Sequence, residues 1–236
     1  MIFIAAPFGN YIKPVGCIPV TGTFTLHARG NVLWSVIKSL RYDFKMKGWT
    51  NALRLPNPGV KVGLDRQIRG EIISIAEIEK GDFRKLVEIL PEATNIELNL
   101  SCPNLGTALP WDSARVFTQT NVRKWCIAKL SPLTTPEQLE FLIDDLGFTQ
   151  LHFSNTLPVA KGGLSGRVLR PYTLELIRLV RENWGDAVTI IAGGGVSDFG
   201  AVYEYLNEGA NHVSLGSVCF NPFKLRKILK GRYDEN

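Results

Sequence analysis

The chain has 236 residues, of which 45% are hydrophobic and 21% are charged, and its formal net charge is +5. That length is sufficient for one large hydrophobic core, and the composition is typical of a folded globular protein. The modest positive charge suits phosphate or carboxylate ligands, and the absence of a basic stripe interleaved with aromatics argues against a nucleic-acid partner.

The cysteines and histidines show no C-x-x-C pair and no metal-ligand spacing, so no metal site is predicted. With no secretory signal in the sequence, this cysteine usage predicts a reducing, cytoplasmic location. The apolar run over residues 1–6 is far too short to span a bilayer, so membrane anchoring is not expected.

The first half of the chain alternates short apolar segments with amphipathic ones. Strands are predicted at residues 2–6, 17–24, 70–78 and 95–101. Only Gly9 to Val15 separates the first two strands, which leaves no room for a helix there. The spacing of apolar residues predicts helices over 31–47 and 82–90, with Asp82 as the cap of the second.

The second half continues the same alternation. Further strands are predicted at 125–130, 150–153, 187–192 and 212–215, and helices at 135–147, 172–184, 198–207 and 222–229, with another opening at Asp112 or Ser113. Eight strands, most followed by a helix, predict a (β/α)8 TIM barrel. We expect a single domain over residues 1–236, with a trimmed first helix. A doubly wound sheet is the alternative, but the glycine fingerprint it needs after the first strand is absent.

In such a barrel the working residues lie at the carboxyl ends of the strands. Here those ends are almost entirely small or amide-bearing, with a single lysine; they are Ala5-Ala6, Thr21-Gly22-Thr23, Ser74, Asn99 to Asn104, Lys129, Ser154-Asn155-Thr156, Gly193-Gly194-Gly195 and Gly216-Ser217. Glycine turns after both of the last two strands predict a phosphate site. One glycine turn alone would be weak support, because glycine is common in turns of any function.

The side chains at these ends narrow the chemistry. Cys102, flanked by carboxamides, is well placed to take a proton from a bound polar ring, although a buried structural cysteine is the alternative. Lys129 suits either a Schiff base or a positive charge beside a cofactor ring. His27, His152 and His212 do not accompany a nucleophile at a strand end, so His152 and His212 are expected to have core or surface roles. Several amides suit a pyrimidine. Together these features fit proton removal coupled to hydride transfer, with flavin mononucleotide (FMN) in the phosphate site.

Five motifs resemble those of the dihydroorotate dehydrogenase family, and they occur in the family's order. They are Asn99-Leu100-Ser101-Cys102-Pro103-Asn104, Ala128-Lys129-Leu130-Ser131-Pro132, Ser154-Asn155-Thr156, Gly162 to Gly166 and Ile191 to Val196. The resemblance is strong over residues 72–223 and looser over residues 2–59. It implies a flavin barrel that oxidises dihydroorotate to orotate, a step of pyrimidine (UMP) biosynthesis.

The resemblance also implies roles for individual residues. Cys102 would take the C5 proton while flavin N5 takes the C6 hydride, and Lys129 would stabilise negative charge on the reduced flavin. The implied substrate-binding residues are Asn51, Asn99, Asn104, Asn155 and Thr156. The implied FMN-binding residues are Ala5, Ala6, Thr23, Ser74, Asn99, Lys129, Ser154, Gly166, Gly194, Gly195, Gly216 and Ser217.

Some features depart from the family pattern. A cysteine base resembles the soluble branch, whereas Gly22-Thr23-Phe24-Thr25 resembles the quinone-reducing branch. The family lysine near the first two strands is replaced by Asn10 or Gly22, and Lys13 and Arg54 are the candidate substitutes. The segment between Thr156 and Gly162 is also shorter than in relatives.

Two other functions stay open. One is a flavin oxidoreductase acting on another dihydropyrimidine-like ring, and the other is a non-catalytic flavin-binding barrel. The electron acceptor is also open among fumarate, a partner subunit and a soluble acceptor, while the lack of a membrane segment disfavours a quinone. A homodimer is consistent with the resemblance, because the family's soluble members are commonly dimeric.

Overall fold

The computed structural model describes residues 1–100, 111–118 and 122–231. Eight of its strands are parallel and form a closed barrel: β1 (Ile2–Ile4), β2 (Cys17–Phe24), β5 (Ile72–Ile75), β6 (Ile96–Asn99), β7 (Cys126–Lys129), β8 (Gln150–Phe153), β11 (Thr189–Ala192) and β12 (His212–Leu215). Around the barrel the order is β1-β12-β11-β8-β7-β6-β5-β2, so each strand pairs with its neighbours in sequence and β12 closes on β1. The predicted TIM barrel is confirmed.

Seven α-helices lie in the described part of the chain: α1 (Val32–Ser39), α2 (Val60–Asp65), α3 (Asp82–Ile89), α4 (Pro136–Glu140), α5 (Arg170–Trp184), α6 (Phe199–Asn207) and α7 (Pro222–Gly231). Helix α4 begins at a full capping box, in which the Thr135 hydroxyl accepts from the Gln138 amide and the Gln138 side chain accepts from the Thr135 amide. A π-helical turn, Phe141–Asp145, extends it. Between β1 and β2 there is only a 3₁₀ turn, Phe8–Asn10, as the short connection predicted.

The helix predicted over residues 31–47 is wrong in its second half. Helix α1 ends at Ser39, and a hairpin of β3 (Arg41–Asp43) and β4 (Gly48–Asn51) follows. The Asp43 carboxylate accepts from the backbone amides of Lys45 and Met46, which closes the hairpin turn in place of a further helical turn. Phe44, an apolar residue that matched helical spacing, therefore lies in the turn of a two-stranded ribbon.

Two other local predictions also need correction. Gly81, not Asp82, occupies the N-cap position of α3, and the Asp82 carboxylate instead accepts from the amides of Ile78 and Glu79 in the preceding turn. The helix expected to open at Asp112 or Ser113 is a 3₁₀ helix, Trp111–Phe117. Five of the eight barrel strands are shorter by two to five residues than predicted.

A second, antiparallel sheet lies beside the mouth of the barrel. It contains the β3–β4 hairpin together with β9 (Leu157–Val159) and β10 (Gly162–Gly166), in the order β3-β4-β10-β9. The segment after the sixth barrel strand is thus a hairpin, and its Gly163 pairs with Asn51 of β4. This pairing joins two distant parts of the chain.

The core has two layers that follow the period-two alternation of the strands. Ile96 and Leu98 of β6 pack outward in the larger cluster, which also contains helix residues such as Leu86. A smaller cluster of residues on the inner strand faces contains Phe3, Val20, Ile72, Trp125, Ile127 and Ile191. The inner faces near the carboxyl ends of the strands instead carry buried polar residues, which form the floor of the site described below. None of the helices in the described residues is both long and apolar enough to cross a bilayer.

Candidate active site

A cavity of about 830 Å³ opens at the carboxyl ends of the barrel strands. Its lining includes fourteen of the predicted site residues: Ala5, Ala6, Thr23, Asn51, Asn99, Lys129, Ser154, Asn155, Thr156, Gly166, Gly194, Gly195, Gly216 and Ser217. Ser74 is fully buried behind Thr23 and does not line the cavity. Cys102 and Asn104 lie outside the described residues.

A continuous chain of hydrogen bonds runs from the cavity wall into the barrel. Asn155 Nδ2 donates to Asn99 Oδ1 at 2.9 Å, and Asn99 Nδ2 donates to Thr23 Oγ1 at 3.2 Å. The Thr23 and Ser74 hydroxyls are 3.0 Å apart, and Ser74 donates to Glu97 Oε1 at 3.0 Å. Because a carboxylate only accepts hydrogen bonds, the Ser74 hydroxyl donates to Glu97 and accepts a hydrogen bond from Thr23. Every donor in this series therefore points toward Glu97. The chain fixes the orientation of both amides.

Glu97 is the buried centre of a charged cluster. Its Oε1 lies 3.5 Å from Lys129 Nζ, and its Oε2 lies 2.6 Å from His152 Nδ1. Burial opposes ionisation of this carboxyl, but the charge of Lys129 and the hydrogen bonds from His152 and Ser74 outweigh it and lower its pKa from 4.5 to about 2. Glu97 is therefore a carboxylate at neutral pH, and it partly balances the charge of Lys129 at the cavity wall.

His152 is the neutral member of this cluster. Burial, together with the charge of Lys129, lowers its pKa below the usual 6.5 despite the opposing effect of Glu97. Since Glu97 can only accept, the proton of the neutral ring is on Nδ1, and Nε2 carries the lone pair. Residue 152 lines the cavity. The predicted core or surface role is thus too narrow, because this buried side chain also forms part of the site wall.

The glycine turns after β11 and β12 fit a phosphate. The amide N–H groups of Gly194, Gly195 and Gly216 donate to no acceptor within the part of the chain that the structure describes. Gly194 and Gly195 have positive φ angles of 85° and 72°, which glycine adopts without strain. A Cβ added at Gly216 would have no described heavy atom within 4 Å, so the backbone there borders open space. These turns leave amides and room for an anion, as FMN requires.

The remaining polar side chains at the mouth are held by their own partners. Ser154 shares a hydrogen bond of 3.1 Å with Thr173 of α5, and Thr173 donates to Gly193 O at 2.9 Å. These bonds tie the sixth barrel strand to the first glycine turn. Asn51 Nδ2 contacts Gly163 O at 3.4 Å, which anchors the second sheet at the rim of the cavity.

Neither candidate for the missing family lysine is an unpaired cation facing the cavity. Asn10 binds the backbone of Gly22 on both sides, with Nδ2 donating to O at 3.1 Å and Oδ1 accepting from N at 3.0 Å. Lys13 lines the cavity but forms an ion pair of 2.5 Å with Glu71. Arg54 is exposed and outside the lining. Within the described residues, Lys129 is thus the predicted site cation that reaches the barrel interior.

Two buried residues of the site were missed from the sequence. Leu98 and Leu151 belong to the outer core cluster, so Glu97, just before Leu98, and His152, just after Leu151, share the inner face with Asn99 and Ser154. The period-two alternation within each strand contains this signal. By this alternation, a polar residue two positions before a polar residue at the strand end also points into the barrel interior.

A closed barrel with glycine turns after its last two strands, and with amides and a lysine at its mouth, belongs to the class of TIM barrels suited to a phosphate-bearing ligand such as a flavin nucleotide. The sequence profile of the dihydroorotate dehydrogenase family matches residues 38–232.

Known proteins show the same likeness. The catalytic subunit of dihydroorotate dehydrogenase B (NAD(+)) from Endomicrobium trichonymphae is 29% identical, over 94% of this chain and 81% of its own length. The corresponding subunit from Brachyspira hyodysenteriae is 25% identical, over 95% of this chain and 83% of its own length. A crystal structure of a dihydroorotate dehydrogenase from Eimeria tenella in complex with ferulenol covers 97% of this chain, with 79% of its own chain matched, a TM-score of 0.74 and 20% identity.

The chain belongs to the dihydroorotate dehydrogenase family. It is accordingly an FMN-dependent oxidoreductase that acts on a CH–CH group.

Proposed function

We propose that this protein oxidises dihydroorotate to orotate in pyrimidine biosynthesis. The observation that carries the proposal is the arrangement of Asn99, Lys129 and Asn155, which come from three neighbouring strand ends and line one cavity with the glycine turns. Paired carboxamides offer both donors and acceptors, as the imide edge of a dihydropyrimidine requires.

The position of each residue in the site suggests its role in the reaction. Asn99 and Asn155, oriented by the hydrogen-bond chain to Glu97, hold the ring of the substrate. FMN, when bound, supplies the acceptor for the hydride from C6. Cys102 follows Asn99 by three residues and, by the family resemblance, removes the proton from C5. Asn104 belongs to the same motif and is assigned to substrate binding on the same ground.

Lys129 supplies the positive charge of the site. Its side chain is almost fully buried, and its ammonium group lies 3.5 Å from Glu97. A buried cation beside the flavin site favours negative charge there more strongly than a solvated one, because the surrounding dielectric is low. This supports a role for Lys129 in stabilising the reduced cofactor.

The test is the visible absorption of the FMN-loaded protein without oxygen. Dihydroorotate should bleach the flavin band, and addition of orotate alone should leave it unchanged. A matched protein carrying Cys102→Ala should retain its flavin and bleach far more slowly. A loaded protein whose spectrum is unaffected by dihydroorotate would refute the proposed substrate.

A second candidate, oxidation of another dihydropyrimidine-like ring, is supported by one feature. Asn10 is held by Gly22, Lys13 is paired with Glu71 and Arg54 lies outside the cavity lining, so the cation set differs from the family pattern. Bleaching by an uncharged dihydropyrimidine, with none by dihydroorotate, would favour this candidate. The non-catalytic alternative requires that no member of such a panel bleaches the flavin.

A further inference from the structure

Two polar atoms on the floor of the cavity lack partners. Ser214 of β12 is 1% exposed, and its Oγ has no hydrogen-bond partner within the described chain. His152 of β8 is 2% exposed, with Nδ1 held by Glu97 at 2.6 Å, and its Nε2 forms no bond to any described residue. Both residues line the cavity.

The two side chains flank one residue, Gly193, at the start of the first glycine turn. A Cβ added to Gly193 would lie 3.2 Å from Ser214 Cβ and 3.3 Å from His152 Nε2. In the barrel register His152 stands opposite Lys129 on one side and Ile191 on the other. His152 therefore lies between Lys129 and the first glycine turn, and Ser214 lies on the far side of Gly193 from His152.

The chemistry of these atoms defines what they can bind. Glu97 fixes the histidine tautomer, so Nε2 is an acceptor, while the Ser214 hydroxyl can donate or accept. A buried polar group without a partner is costly, and native proteins retain few of them. A ligand hydroxyl matches both atoms, because it can donate to Nε2 and also exchange a hydrogen bond with a serine.

We propose that His152 and Ser214 are additional cofactor-binding residues that hydrogen-bond the hydroxyl-bearing chain joining the ring of FMN to its phosphate. Lys129 is assigned to the ring and the glycine turns to the phosphate, and the two residues flank Gly193 next to these groups, which supports this part of the cofactor. The inference rests on the FMN site of the proposed function. It adds to that site two residues that none of the strand-end motifs contains.

Ser214→Ala gives the decisive test, because it separates binding from folding. In the FMN-free protein the substitution removes an unpartnered hydroxyl, so the urea unfolding midpoint should stay the same or rise. The dissociation constant for FMN, measured by quenching of flavin fluorescence, should increase about three- to tenfold, the effect of one lost neutral hydrogen bond. A purely structural role would lower stability and affinity together.

His152→Asn tests the second contact. The asparagine amide can still donate to Glu97, as Nδ1 does, but it provides nothing at the position of Nε2. We expect a similar loss of FMN affinity in this variant. Ser39→Ala is the matched control, since the Ser39 hydroxyl donates to Ser35 O within α1 at 2.8 Å and lies outside the cavity lining; its FMN affinity should equal that of the wild type.

The outcomes separate this inference from the proposed function. If the wild type binds FMN and both Ser214→Ala and His152→Asn bind it with the same affinity, the inference is wrong and the proposed function is unaffected. A fall in affinity that merely parallels a fall in stability of the FMN-free protein overturns it as well. A wild-type protein that takes up no FMN overturns the flavin site and, with it, this inference.

Discussion

Replacement of Glu97 by glutamine removes the charge at the centre of the buried cluster while it preserves the shape of the side chain. In the wild type the ionised carboxylate interacts with Lys129 at 3.5 Å and with His152 at 2.6 Å. The fall of its pKa from 4.5 to about 2 corresponds to about 3 kcal/mol of unfolding free energy, at about 1.4 kcal/mol per pKa unit. We therefore expect Glu97→Gln to destabilise the protein by about this amount at pH 7, since it also leaves Lys129 without its buried counter-charge.

The pH dependence follows from the sign of the shift. A carboxyl whose folded pKa lies below 4.5 stabilises the fold fully above that pH, and this contribution disappears as the pH falls toward 2. The difference between wild type and Glu97→Gln should thus persist at pH 5 and narrow below pH 4.5.

Urea unfolding of the FMN-free protein, followed by tryptophan fluorescence, measures both effects. Glu71→Gln is the matched control: Glu71 is also buried, but its partner Lys13 is 33% exposed. A pair with one solvated partner is expected to contribute about 1 kcal/mol or less. Equal losses in the two variants, or a loss in Glu97→Gln below about 1 kcal/mol, would show that the cluster does not stabilise the fold as the geometry implies.

Four other substitutions test the site. Cys102→Ala should slow flavin reduction by dihydroorotate by about a hundredfold or more in stopped-flow measurements, with flavin content unchanged; a rate equal to that of the wild type would assign the base elsewhere. Lys129→Ala should lower the ratio of FMN to protein after purification, and an equally yellow protein would contradict the charge role. Gly216→Ala places a methyl group in open space at the phosphate turn, so FMN affinity should fall, whereas Gly200→Ala in α6 should leave it unchanged. The wild type should lose unfolding free energy between pH 7 and pH 5, because burial lowers the pKa of His152 and the ring therefore takes up a proton more readily in the unfolded chain than in the folded one. His152→Asn lacks this ring and should lose less; parallel pH profiles would refute this.

Much of the architecture follows from local patterns. The boundaries of β2, β8, β12 and α6 coincide with their predicted ranges, since alternation, capping and glycine stops act over a few neighbouring residues. The eight-strand count led to the barrel, and the barrel placed the strand ends at one mouth. The residues assigned there to substrate or cofactor do meet in one cavity, apart from Ser74 and from Cys102 and Asn104, which lie outside the described residues.

The hairpin after α1 shows where local patterns stop being decisive. Residues 41–47 continue the spacing that predicts a helix, yet they lead into β4, which pairs with β10 more than a hundred residues later. That pairing requires a close approach at Gly48, where a Cβ would meet the Ser165 carbonyl. No window of neighbouring residues contains such a partner, so tertiary pairing decided the structure of this segment.

The sequence by itself determined the barrel and the small, amide-bearing residues at its mouth, because strand period and turn chemistry are local properties. The polar floor beneath that mouth was decided only by the tertiary structure. Strand alternation can place Glu97, His152 and Ser214 on inner faces, but they belong to separate strands, so no local pattern shows which partners each one meets. Closure of the barrel brings their inner faces together in a buried space, and there Glu97 holds both the lysine and the hydrogen-bonded amides that line the cavity.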